Sequence, residues 1–289
     1  MLLPRMYHSM MSSFLALFSS LLWGAADFFG GNLTKKYKAV AVTAASQTFG
    51  LLFGILVILF SSSWLAPNLN WDGYVIPGIL AGLMGFGGLT AFYAGLATGR
   101  MGVVSPISSL SVLIPLAFAI FNGEQPSRTQ IIGMAIALLG GFCASGPELR
   151  GGVSAKPLIF ATIAAFGFGG AITFIARGSK VSPIMTMTTM RFTTFLIALA
   201  LFAKFKSTGG FTKRDLPILI GIGGADFFGN LLLGVATTKG LVSLAVVLGS
   251  LFPIVTALLA FKFLHERLHK LQYLGVFFAI SGVAILSVG

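Results

Sequence analysis

An all-α membrane protein, with ten transmembrane helices arranged as two inverted repeats of five, is the fold class that three observations predict. First, 56% of the 289 residues are hydrophobic and only 9% are charged, with a mean hydropathy of +0.96. That leaves too little polar surface to cover a soluble globule of this size. Second, Glu124, Gln130, Gly133 and Gly140 recur as Glu266, Gln272, Gly275 and Gly282, each 142 residues later (266 − 124 = 142). A shift of nearly half the chain marks an internal duplication. Third, each copy holds five apolar segments, and an odd number of spans forces the second copy into the bilayer upside down.

The spans are expected at about 11–31, 40–61, 74–97, 102–121, 129–147, 155–176, 183–203, 216–238, 242–264 and 271–288, each near the roughly 20 apolar residues that a bilayer core requires. They divide the chain into a first repeat, 1–150, and an inverted second repeat, 151–289, with no room for a soluble domain. Arg5 followed by the apolar run Met11–Leu22, with Gly24, Ala25 and Ala26 beyond it, has the outline of a signal peptide. The run continues through Phe28 and Phe29, however, and its loss would leave the first repeat one span short, so a retained helix is expected. Elsewhere the copies align as Trp23-Gly24-Ala25-Ala26 with Phe168-Gly169-Gly170-Ala171, and as Gly95-Leu96-Ala97-Thr98 with Gly234-Val235-Ala236-Thr237.

A net charge of +12 in a soluble protein would suggest nucleic acid, but here the cations fall in short connections without an aromatic-rich polar module. Nucleic-acid binding is not expected. Lys35, Lys36, Lys38, Arg100, Arg150, Lys156, Lys204, Lys206, Lys213, Arg214, Lys262, Arg267 and Lys270 lie at the odd-numbered connections. Arg5, Arg128, Arg177, Lys180 and Lys239 lie on the other side. The positive-inside rule therefore puts the odd connections in the cytoplasm and both termini outside. The single cysteine, Cys143, forms no internal disulfide and no CxxC site.

The segment 250–276, with Pro253, Leu264, Glu266, Arg267, Leu268, Gln272 and Gly275, resembles the closing signature of EamA-type proteins in the drug/metabolite transporter superfamily. The first half carries a looser copy, with Gly123, Glu124, Gln130 and Gly133, and with Ser111 in the place of Pro253 and Pro115 one turn later. Leu21-Leu22-Trp23-Gly24 is similar to the family's opening. The resemblance covers nearly the whole chain and implies two EamA repeats, a central cavity between them and alternating access. Its relatives export amino acids, metabolites or drugs, and others carry sugar phosphates or nucleotide sugars. Many ten-span relatives keep both termini in the cytoplasm, an expectation opposite to that from the charge distribution.

His265-Glu266-Arg267-Leu268-His269 fits the H-E-x-x-H zinc pattern and supplies an alternative function, an intramembrane zinc metalloprotease. The duplication argues against it, because the equivalent Glu124 is flanked by Gly123 and Gln125. Glutamate is the repeated element, best suited to pairing with cations or capping a helix. No metal and no cofactor are expected, and the absence of a phosphate-binding loop argues against ATP drive.

The pentapeptide Ala-Asp-Phe-Phe-Gly occurs at 26–30 and 225–229, but the copies are not equivalent: Asp27 aligns with Ile172, and Asp226 with Gly87. A carboxylate inside a span is costly and faces a cavity or a partner. Asp27 and Asp226 are accordingly the leading candidates for a substrate amine or a coupling proton, against the plainer reading of structural pairs. One helical turn sets Trp23 beside Asp27 and Asn230 beside Asp226. Tyr93 on the third span offers an aromatic face, and Ser108, Ser109 and Ser250 offer hydroxyls on the fourth and ninth spans, with interhelical packing as the alternative for each. Arg191 is expected to snorkel to the interface, the alternative being that it binds an anionic substrate group if that span dips toward the cavity. The expected function is secondary transport, in the export direction, of a small organic metabolite such as an amino acid or drug. The expected setting is the plasma (inner) membrane, with the chain acting as a monomer and a proton as the candidate coupling ion.

Overall fold

The computed structural model describes residues 2–98, 101–146, 155–264 and 269–288. All regular structure among them is helical: α1 (Leu2–Leu33), α2 (Ala39–Ser61), α3 (Val75–Leu96), α4 (Met101–Ser109), α5 (Leu113–Phe121), α6 (Arg128–Ala144), α7 (Ala155–Ser179), α8 (Pro183–Phe205), α9 (Leu216–Lys239), α10 (Val242–Gly249), α11 (Phe252–Leu264) and α12 (Lys270–Val288). Eight segments are long and apolar enough to cross a bilayer, with the α4–α5 and α10–α11 stretches each counting as one, and the shorter apolar α6 and α12 complete ten. Most boundaries fall within a few residues of those expected. The first helix departs most, beginning at Leu2 rather than near residue 11.

Two spans expected to be continuous are broken. In the fourth, a 3₁₀ turn at Leu110–Val112 separates α4 from α5. Pro115 has no N–H to donate to the carbonyl of Ser111 four residues back, and its ring crowds that carbonyl, so the ladder tightens there. In the ninth, Pro253 stands in the same relation to Gly249, where α10 ends, and the Leu251 N–H reaches only to the carbonyl of Leu248, at 3.3 Å. The second spans also end alike: Ser62 after α2 and Lys206 after α8 take left-handed φ values of 50° and 51°, 144 residues apart.

The packing repeats with the halves exchanged. First span α1 packs on third span α9, and first span α7 on third span α3, while the two fifth spans, α6 and α12, pack on each other. With five spans per half, the second half runs through the bilayer in the opposite sense to the first. Water supplies no drive for helix association inside lipid, so close backbone approach must. At α6–α12 it does: a Cβ on Gly140 would collide with the backbone of Ala279, and one on Gly282 would lie 2.5 Å from the Ala137 nitrogen. These are two of the duplicated glycines.

The other duplicated residues hold helix ends. Gln130 closes a capping box with Ser127 at the start of α6, and Gln272 accepts from the His269 N–H at 2.9 Å before α12. Glu124 reaches across the halves, accepting from the Val242 and Ser243 N–H groups at 2.7 and 2.9 Å. It thereby satisfies free donors at the positive end of α10. Its counterpart Glu266, with His265, Arg267 and Leu268, lies outside the described residues.

Candidate functional site: a central cavity between the halves

A cavity of about 550 Å³, counting the part open to solvent, lies between the halves. Spans one to four and six to nine all contribute to its wall, and the fifth and tenth do not. Both helix breaks reach it, through Ser111 on the fourth span and Phe252 on the ninth. Each break is backed by the first span of the opposite half at a repeat-equivalent glycine. A Cβ on Gly24 would lie 2.7 Å from the Phe252 oxygen, and one on Gly169 would lie 2.6 Å from the Ser111 oxygen. Irregular backbone lining a cavity at a repeat interface is where inverted-repeat transporters place ligands.

Arg191 is the centre of the polar wall. It is 1% exposed, forms an ion pair with Asp226 at 2.8 Å, donates to the Asp226 carbonyl at 3.3 Å, and donates through Nη1 to Gln47 Oε1. Gln47 in turn donates to Asp226 Oδ2 at 2.7 Å, and Asn230 donates to the carbonyl and carboxylate of Asp226 at 2.7 and 3.1 Å. The long guanidinium side chain does not snorkel to the interface as expected, because two acceptors from other spans meet it inside the bundle. Gln47 and Arg191 are 144 residues apart, the same separation as the starts of α2 and α8. They are thus equivalent residues of the two halves in contact with each other, which marks the pseudo-two-fold axis.

Asp27 is 8% exposed and lines the cavity. Among the described residues its carboxylate has no hydrogen-bond or ion-pair partner. Trp23, one turn away, also lines it, with its ring edge-on to Phe252 at 6.3 Å. Phe168, the repeat counterpart of Trp23, lines it as well.

Of the residues singled out in the sequence, Asp27, Asp226, Trp23 and Asn230 converge on this cavity. Tyr93 does not line it. Wholly buried, it donates to the Ala26 carbonyl at 3.3 Å, behind the first span. Ser250 and Ser109 bond carbonyls in their own helices, those of Val247 and Pro106, and Ser108 is buried without a partner for its hydroxyl. Gln47, Ser111, Phe168 and Phe252 join the wall without having been chosen as ligand contacts, and Arg191 joins it in place of the expected interface position. The repeat register alone could have pointed to the Gln47–Arg191 contact. Among the described residues no group of three or more His, Cys, Asp or Glu side chains is placed to hold a metal; His265 and Glu266 lie outside them, and His269 is exposed.

Polar clasps join the halves on opposite faces. At the odd-numbered connections, Asp215, which precedes α9, accepts from Tyr37 Oη at 2.6 Å and lies 3.6 Å from Lys36 Nζ. Hydrogen bonds from the Thr212 hydroxyl, Tyr37 and the Thr212 backbone hold its carboxyl well below the usual carboxylate range. At the even-numbered connections Asp72, which precedes α3, pairs with Arg177 near the end of α7 at 2.7 Å, and Arg177 covers the Trp71 ring at 4.9 Å. In each case the acid leads into a third span and the base closes the first span of the other half.

Comparison with known proteins agrees with this architecture. A solved crystal structure aligns with a TM-score of 0.75 over 95% of each chain at 16% identity, a likeness that carries the fold alone. No curated protein matches significantly. The sequence matches the EamA-like transporter family twice, over residues 10–146 and 155–288. With both halves of the bundle matched in turn, this multi-pass membrane protein belongs to the EamA-like transporter family, which is not a family of enzymes.

Proposed function

We propose that the chain is a secondary transporter that exports small organic metabolites, such as amino acids or drugs, by alternating access around the central cavity. The supporting observation is the placement of that cavity. It sits on the pseudo-two-fold axis, where Gln47 meets its own counterpart Arg191, and it is walled by both broken spans. A rocking of one half against the other about that axis opens the cavity to either face in turn. Asp27, Asp226, Trp23 and Asn230 supply its ligand-facing chemistry, and a proton is the candidate coupling ion. The setting is the plasma (inner) membrane, with one chain as the working unit.

The metalloprotease alternative has no supporting observation. The duplicated glutamate that can be seen, Glu124, is engaged by two backbone N–H groups. The test is uptake by proteoliposomes against a metabolite panel, with and without a pH gradient. Gradient-dependent flux or exchange of at least one compound is expected. No flux with any compound under either condition would overturn the reading.

A further inference from the structure

The three ionisable groups lining the cavity are not equally free. Arg191 and Asp226 pair with each other, and Gln47 and Asn230 add hydrogen bonds to them, leaving, among the described residues, only Nε of the guanidinium without a partner. Asp27 has no partner among the described residues, although it is more than nine-tenths buried and lines the same space. A buried carboxylate is costly as an ion unless something positive meets it. Outside its polar cluster the cavity wall is largely apolar, with Trp23, Phe168, Phe252, Leu89, Ile172 and Met190 among its residues. Aromatic faces attract cations, most strongly when water is excluded.

We propose that the substrate class of this cavity is a monovalent organic cation with an apolar or aromatic body, its ammonium group paired with Asp27 and its body set among Trp23, Phe168 and Phe252. Anions are disfavoured for a physical reason. Among the described residues the one cation in the wall, Arg191, is 1% exposed and already bonded to Asp226 and Gln47. Its one unpartnered nitrogen, Nε, is itself buried, so a substrate carboxylate would have to displace Asp226 to reach the guanidinium, leaving two carboxylates unpaired in the cavity. Zwitterions carry the same penalty at one end, which narrows the proposed substrates from amino acids and drugs in general to cationic amines. Because Asp27 has no counterpart in the second half, where Ile172 stands at the equivalent position, there is one cation position per cavity.

This inference rests on the cavity being the transport site, and its test varies charge on a constant body. Phenethylamine, phenylalanine and hydrocinnamate are titrated against the purified full chain in nanodiscs. Phenethylamine is expected to bind at least about tenfold more tightly than phenylalanine, the margin that one charge-assisted contact supplies, and hydrocinnamate is expected not to saturate. Asp27→Asn is expected to weaken amine binding about tenfold or more with an unchanged melting temperature, and Asp27→Glu to restore part of it. Equal or tighter binding of phenylalanine or hydrocinnamate would overturn the assignment. So would unchanged amine binding by Asp27→Asn, or no binding by any member of an amine series graded in size from benzylamine to diphenylalkylamines. Flux of zwitterions or anions without flux of amines would remove the cation assignment and leave transport standing, whereas no flux of any compound would remove transport itself.

Discussion

The outer seam of the bundle and its central cavity have treated the duplication in opposite ways. At the seam the halves kept the same residues for the same tasks: Gly140 and Gly282 bring α6 and α12 into backbone contact, and Gln130 and Gln272 cap those helices. In the cavity equivalent positions diverged, with Asp27 opposite Ile172 and Gln47 opposite Arg191. Symmetry serves packing, because both halves must present the same surface wherever they meet across the axis. A small ligand is itself asymmetric, and a symmetric cavity would offer it two half-sites in place of one.

The largest expected effect comes from breaking the cavity's ion pair. Arg191→Ala leaves Asp226 buried without its counter-charge, and a loss of about 3–5 kcal/mol is expected, read as a lowered unfolding midpoint in detergent. The double variant Arg191→Met with Asp226→Leu is expected to recover most of it. A single variant as stable as the parent would mean that the pair is not buried as described. At the seam Gly140→Val forces a side chain into the Ala279 backbone and is expected to cost about 1–3 kcal/mol, measured in the same way.

Glu124→Ala removes the acceptor of two N–H groups at the start of α10, with an expected loss of about 1 kcal/mol. Amide exchange at Val242 and Ser243 is expected to rise, and unchanged protection would show that the cap is dispensable. The smallest effect concerns Asp215. Its carboxyl is held below the ordinary range by bonds to its charged form, so the stability it adds is present above the unfolded carboxylate pKa, about 4. That stability is lost as pH falls through the lower folded value. The stability difference between the parent and Asp215→Asn is therefore expected to stay constant from pH 7 to about 5 and to shrink only below about 4. A difference that fades near pH 6 would contradict the hydrogen-bonded clasp.

Much of the scaffold was legible in the sequence because its determinants are local or repeated. Apolar run lengths located the spans, and the shifted Glu, Gln and Gly residues exposed the duplication. The two breaks were only half legible. Pro115 and Pro253 were visible, but whether a proline kinks or interrupts a span depends on the neighbour packed against it, here the first span of the opposite half, which comes close at Gly24 and Gly169. Arg191 was misjudged for a related reason. Along α8 alone nothing marks a partner for it, and only Gln47 and Asp226, on two other spans, make burial tolerable. Asp27 and Asp226 were found because a carboxylate in a span is conspicuous by itself, but which of the two is paired is a property of the fold.

The central claim is that unduplicated residues recognise the ligand while duplicated ones hold the frame. Its most direct test is transport per folded molecule in proteoliposomes for Asp27→Asn beside Gln130→Ala. Asp27→Asn is expected to abolish flux at an unchanged unfolding temperature, and Gln130→Ala to lower that temperature while leaving flux per folded molecule intact. Full flux from Asp27→Asn, or lost flux from a stably folded Gln130→Ala, would contradict it.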